Sequence, residues 1–201
     1  MTSSKLLKKE SRVLGFDDAP FKKDSKENNL IIGVIMRGPE LFEGLISTKV
    51  RVDGFNSTAR IIESVNASKF KHQLKAILFD GICLSGFNVL DLEAISKRTG
   101  IPAITIMRKP PNFNEIKEAL KRVSRPKFRE EIMMKAGPIY SVDVKNKNCT
   151  GRVFFQFKGC SREYAENIIK LMTFRSLVPE PLRIAHLIAS GIKLGESRGQ
   201  A

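Results

Sequence analysis

Tryptophan is absent from the 201-residue chain, tyrosine and histidine occur twice each, and the three cysteines, Cys83, Cys149 and Cys160, are widely spaced. An odd set of scattered thiols makes no disulfide framework and suits a reducing compartment, so a cytoplasmic location is expected. The same thiols, with only His72 and His186 beside them, offer no zinc-ligand spacing. Long apolar runs are missing too. The purest, Leu30 to Met36, is too short to cross a bilayer, and MTSSKLLKKESR lacks the apolar core of a signal peptide, which predicts a soluble protein without a membrane partner. No GxGxxG follows a strand-like run, and neither GxxxxGK[ST] nor GxSxG occurs, so dinucleotide, P-loop and serine-hydrolase chemistry lose their usual carriers. No fixed-period repeat or low-complexity segment is present.

What the chain does have is charge of one sign. Thirty-five Lys and Arg stand against 21 Asp and Glu, a formal excess of +14. That surplus points to a polyanion, with nucleic acid first among the candidates. Apolar residues at 42% and charged residues at 28% suffice for one core, so residues 1–201 are read as a single domain, with a β-hairpin insertion around 136–158.

Apolar runs in the first half end repeatedly at Asp or Gly. SRVLGFDD, NLIIGVIMRG, STKVRVDG and KAILFDG read as strands, and PAITIM as a fifth. Ser57 to Phe70 carries Ile61, Ile62, Val65 and Phe70 at helical spacing. A second helix carries Leu92 and Ile95, with Asn88 as its expected N-cap and Gly100 as its stop. Asp91, just inside that helix, is assigned to the helix dipole. The third helix places Ile116, Ala119, Leu120 and Val123 on one face and Lys117, Lys121 and Arg122 elsewhere. Ser124 to Lys135 reads as a connection; residues 138–157 read as a hairpin around KNKNCTG, and two helices, near Arg162–Phe174 and Pro181–Leu194, follow. This order predicts an α/β fold whose sheet mixes antiparallel and parallel strands.

Carboxylates recur at the ends of those strands: Asp17 and Asp18 on the first, Asp53 on the third, Asp80 on the fourth. If the strands are neighbours these anions converge, and such a donor set, without His or Cys, suits Mg2+ or Mn2+. The competing reading is a turn, because Asp-Gly at 53–54 and 80–81 is also ordinary turn chemistry. Lys109, in IMRKPP after the fifth strand, would reach the same edge and neutralise charge on a phosphate, although with Arg108 it equally suits an exposed basic loop. Ser85, Gly86, Phe87 and Asn88, at a helix start, would let backbone amides approach a phosphate. Phe42, Phe55, Phe87 and Tyr140 are candidates for stacking on a base, against a core role. His186, inside LRIAHLIAS, is assigned to packing or hydrogen bonding.

VLGFDDAPF, VIMRG, VRVDGFNSTARII, ILFDGICLSGFNVLD and VPEPLRIAHLIASGI together resemble the endonuclease dU family, which is related to endonuclease V and to ribonuclease H-like nucleases; the likeness spans residues 12–199. Gly15-Phe16-Asp17 is similar to the GxD of endonuclease V, Asp80-Gly81 to its later Asp-Gly, Lys109 to its lysine, and Pro179 to His186 to its PEP-x-R-x-A-H-like segment. Two positions depart from that pattern: the FRE-like glutamate has Asp53 as its nearest equivalent, and a Gly-His pair appears as Gly159-Cys160. The resemblance implies a ribonuclease H-like mixed sheet with flanking helices. It also implies a divalent-metal-dependent endonuclease cutting phosphodiesters near deoxyuridine or hypoxanthine, in DNA more than RNA. On that reading Asp17, Asp53 and Asp80 hold Mg2+ (or Mn2+), Asp18 assists and Lys109 steadies the transition state. Gly86, Phe87, Asn88, Arg108, Lys117, Lys121 and Arg125 would then engage nucleic acid. Two alternatives stand beside it: a nucleic-acid-binding protein that keeps the fold without cleaving, and an enzyme acting on a small phosphorylated molecule.

Overall fold

In the computed structural model, which describes residues 7–22 and 27–197, three strands open the chain: β1 (Arg12–Asp18), β2 (Asn28–Arg37) and β3 (Leu41–Arg51). Helix α1 (Ser57–Ala67) leads to β4 (Leu74–Asp80), and a small ribbon of β5 (Cys83–Leu84) and β6 (Asn88–Val89) precedes α2 (Leu92–Thr99). Then come β7 (Ala103–Met107), α3 (Phe113–Leu120), α4 (Pro126–Lys135), β8 (Tyr140–Lys145), β9 (Thr150–Lys158), α5 (Arg162–Met172) and α6 (Glu180–Leu194). Seven strands form one sheet in the order β3-β2-β1-β4-β7-β9-β8. β4 runs parallel to β1 and β7, while the remaining pairs are antiparallel. The expected hairpin is β8 and β9, and because β9 pairs with β7 it extends the sheet.

Side chains alternate across a strand, so each strand feeds two cores. Val13, Val34, Ala76 and Leu78 pack with Ile168 and Ile169 of α5 and Ala185 and Ala189 of α6. Leu14, Phe16, Ile77 and Phe79 pack on the other face with Ile61, Ile62 and Val65 of α1 and Ile95 of α2. Helices therefore cover both faces of the sheet. Among the described residues, no helix is long and apolar enough to cross a membrane.

Three local expectations change. Asn88 does not cap α2: Asp91 does, accepting from the Ala94 amide at 2.9 Å, and Gly100 ends the helix in the left-handed region at φ 76°. Helix α1 stops at Ala67, and Phe70 belongs to the turn that follows. Residues 126–135, read as a connection, form α4. Its one buried residue is Arg129, so no apolar stripe announces it; Pro126 in its first turn was the available signal. The apolar face of α3 is only partly used: Leu120 is buried, Val123 lies past the helix end, and Phe113 and Ile116 border an open groove of about 1480 Å³ between α3, α4 and the end of β7.

Candidate functional site

The parallel register of β1 and β4 pairs Gly15 with Leu78 and Phe16 with Phe79, which carries Asp17 alongside Asp80 at the carboxyl ends of both strands. Both lie on the α6 face, in step with Val13 and Leu78, whereas Asp18 points to the opposite face and accepts from the Ser85 amide at 3.1 Å. Gly81 turns the chain at φ 79° and donates to the Ile106 carbonyl, so the turn is made without the Asp80 side chain. That carboxylate is exposed and makes no hydrogen bond or ion pair among the described residues.

Helix α6 brings the residue that periodicity hid. A Cβ on Gly15 would lie 2.7 Å from the Pro181 carbonyl carbon and 2.8 Å from the Leu182 amide nitrogen, so glycine lets α6 press directly on β1. About one turn further along that helix, His186 Nδ1 sits 2.8 Å from Asp17 Oδ2, while Asp17 Oδ1 accepts from the Asp18 amide. His186 is thus a site residue as well as a hydrogen-bonding one. It sits in an otherwise apolar helical pattern; its membership of the PEP-containing segment was the only sequence signal.

Crowded anions resist ionisation. Burial first, and then the Asp80 charge, push the Asp17 carboxyl up to about 6 against the pull of the Asp18 amide and His186. Burial and the Asp17 charge push Asp18 up to about 7, opposed by the Ser85 amide. Asp80 is raised as well, by burial, with Arg108 and His186 working against it. Because solvent reaches Asp80, burial weighs less there than at Asp17.

Asp53 stands apart from this group. It takes the turn role, with its own φ at 50°, and its Oδ1 accepts from the Phe87 amide at 2.7 Å. Gly86, at φ 81°, fits against that carboxylate because it has no Cβ. The two site loops, 53–54 and 85–87, are closed by Arg129, which is 0% exposed. Its guanidinium donates to the carbonyls of Gly54, Asp53 and Phe87, and to Ser124 of its own segment. Asn88 is also 0% exposed, and its amide is taken up by the Ser57 amide, the Arg51 carbonyl and Asn56. It starts α1 and has no surface to offer nucleic acid, contrary to expectation.

The expected cations divide into two groups. Lys117 pairs with Glu130 at 3.3 Å and Lys121 with Glu118 at 2.6 Å, so both are engaged within the α3–α4 hairpin. Arg108 is exposed near Asp80, and Arg125 lies over two exposed phenylalanine rings; neither has a carboxylate partner among the described residues. Lys109 is exposed beside Arg108 and makes no hydrogen bond or ion pair among the described residues, so the charge acting on Asp80 is that of Arg108.

The carboxylates of Asp17 and Asp80 line this edge, with the His186 ring beside Asp17, and their oxygens fit a hard divalent cation. Among the described residues, no three His, Cys, Asp or Glu side chains close into a cage. Asp80, with both oxygens unbonded among the described residues, and Asp17 would supply part of a coordination shell completed by water or a phosphate, the habit of Mg2+.

The family model described as endonuclease dU matches residues 9–193. The chain belongs to the endonuclease dU family. Among its relatives, a UPF0215 protein of Methanothermobacter thermautotrophicus is 45% identical over 196 residues, covering 97% of this chain and 94% of its own. A crystal structure of a protein of unknown function from Archaeoglobus fulgidus is 31% identical with a TM-score of 0.79, over 90% of this chain and 97% of that one. Endonuclease V of Ciona intestinalis, crystallised with DNA containing an inosine followed by a ribo-adenosine, aligns at a TM-score of 0.56 and 21% identity, over 92% and 86%. That last likeness is one of fold, and it bears out the ribonuclease H-like mixed sheet expected for this family.

Proposed function

We propose that this endonuclease dU family member is a divalent-metal-dependent endonuclease that hydrolyses a phosphodiester beside a deaminated base in DNA. The observation that carries the reading is the placement of Asp17 and Asp80 on one face of two adjacent parallel strands, with Asp18 behind them and, among the described residues, no lysine or arginine bonded to any of the three. Anions so gathered are at ease only with a cation or with protons. Asp17 and Asp80, supported by Asp18, would hold Mg2+ or Mn2+, and such an ion supplies Lewis acidity to a phosphoryl oxygen and to water.

The chain's own groups do the rest. His186, hydrogen-bonded through Nδ1 to Asp17 and partly open to solvent, presents its other ring nitrogen to give or take a proton at the scissile phosphate. Arg108, with Lys109 next to it, places positive charge where a phosphate would lie beside Asp80. Asp53 shapes the 85–87 loop, whose Gly86 and Phe87 border the site. The choice of deoxyuridine or hypoxanthine rests on the family description and on the inosine in the Ciona complex.

Oligonucleotides carrying one uracil or one hypoxanthine, incubated with the protein and Mg2+ or Mn2+, test this directly. Nicking is expected in the native protein and should fall at least about 100-fold in Asp80→Asn, an exposed position where the fold has nothing to lose. Binding to the same DNA should persist. Binding without nicking in any metal would instead favour a non-cleaving nucleic-acid-binding protein, the reading favoured by the diversion of Asp53 to a structural role.

A further inference from the structure

Outside the carboxylate edge, one surface combines aromatic rings, cationic charge and strained backbone. Phe55 and Phe128 are 45% and 39% exposed, and their rings meet edge to face at 5.7 Å. The Arg125 guanidinium lies 5.5 Å from the first centroid and 4.8 Å from the second. Arg129 stacks against Phe55 from within the protein at 4.1 Å. Around them Lys121, Arg122, Arg125 and Lys127 are all exposed, and no acidic residue falls in the stretch from 121 to 127.

Hydrophobic association alone does not explain this surface. Two large rings, Phe55 in the loop after β3 and Phe128 in the first turn of α4, are kept in water beside a basic segment, where core packing would have buried them. The backbone beneath is unusual as well. Asp53, Ser85 and Arg125 are the described non-glycine residues with positive φ, at 50°, 51° and 54°, and all three belong to the segments that Arg129 ties together. Strain of that kind persists only where surrounding contacts enforce it, and here a fully buried guanidinium does so. The result is a rigid platform joined to the carboxylate site: Arg129 holds the Phe87 carbonyl, and Ser85, in the same loop, donates to Asp18.

We propose that Phe55, Phe128 and Arg125 form a binding subsite for an unstacked nucleotide of a nucleic-acid strand, the rings taking the base and Arg125 its phosphate. The occupant follows from the chemistry. A base offers a π-face to a phenylalanine whatever its identity, and a phosphate is the natural partner of an arginine with no carboxylate of its own. The proposal rests on the reading of this protein as one that engages nucleic acid, and it is independent of whether the carboxylate edge cleaves.

Fluorescence anisotropy of a labelled single-stranded oligonucleotide, in chelator so that no cleavage intervenes, tests it. Phe128→Leu keeps the apolar contact with Phe55 but removes the ring, and should weaken binding by about 5- to 100-fold. Phe128→Tyr keeps the ring and should bind as the native protein does. Arg125→Gln should lower the slope of log affinity against log salt by about 0.7, the loss of one phosphate contact. Melting curves followed by circular dichroism identify any variant that is unfolded at the assay temperature. Native-like affinity in Phe128→Leu, equal loss in the Leu and Tyr variants, an unchanged salt slope in Arg125→Gln, or no binding of the single strand by the native protein at low salt would each overturn the proposal. Failure of the nuclease reading shows differently, as intact single-strand binding with no nicking of lesion DNA.

Discussion

Raising the pH of metal-free protein should destabilise it across a range where most carboxylates are silent. The Asp17 carboxyl rises from 3.8 to about 6 on folding, because it is buried beside Asp80. Between those values the folded state holds a proton that the unfolded state has released, so stability falls as pH rises and levels off above about 7. The full rise is worth about 3 kcal/mol, of which roughly half is lost between pH 5 and pH 8. For a chain of this length that corresponds to a fall of roughly 3–6 °C in Tm. Asp18, raised to about 7, acts in the same direction. Asp17→Asn isolates the effect: the amide oxygen can still accept from the Asp18 amide, and the NH2 can donate to His186 Nδ1. Thermal melts of both proteins in chelator at pH 5, 6, 7 and 8 should show a steep fall for the native chain and a flatter one for the variant. Added Mg2+ should restore the native protein at pH 8 and leave the variant unmoved. Equal losses in the two proteins, or a native Tm that climbs with pH, would refute the account of a crowded anionic edge.

Two further substitutions probe how the site is built. Arg129→Ala leaves the carbonyls of Asp53, Gly54 and Phe87 without their donor and should cost about 3–5 kcal/mol in urea unfolding, whereas a loss under about 1 kcal/mol would mean that the loops hold themselves. Gly15→Ala drives a methyl into the Pro181 backbone and should cost about 1–3 kcal/mol while moving His186 away from Asp17. Nicking that stays at the native level in a folded Gly15→Ala protein would remove His186 from the proposed chemistry.

Aspartate at 53 and aspartate at 80 look alike in the sequence, each closing an apolar run and each followed by glycine, yet they serve different ends. At 80 the glycine makes the turn and the carboxylate has no hydrogen-bond partner among the described residues; at 53 the aspartate itself adopts the left-handed conformation, and one of its carboxylate oxygens accepts from the Phe87 amide. A dipeptide cannot say which of the two will carry the turn. Helix α4 has no legible pattern for a related reason: amphipathic pattern detects burial of apolar side chains, and the anchor here is a guanidinium whose acceptors include the carbonyls of Asp53 and Gly54, more than 70 positions earlier in the chain. His186 was hidden in the reverse way, within a pattern so apolar that a polar member read as incidental.

Alternation and punctuation by Asp, Gly and Pro were enough to determine the strands of the sheet, most of its helices, the cationic character of the surface and the presence of carboxylates at strand ends, because those features depend on neighbours within a few residues. Which carboxylates meet, which histidine joins them and which arginine locks the loops were decided only in three dimensions. Parallel register between β1 and β4, and the approach of α6 that Gly15 permits, join groups as far apart as residues 17 and 186. Contacts at that separation depend on the packing of whole elements, which no local window of sequence contains.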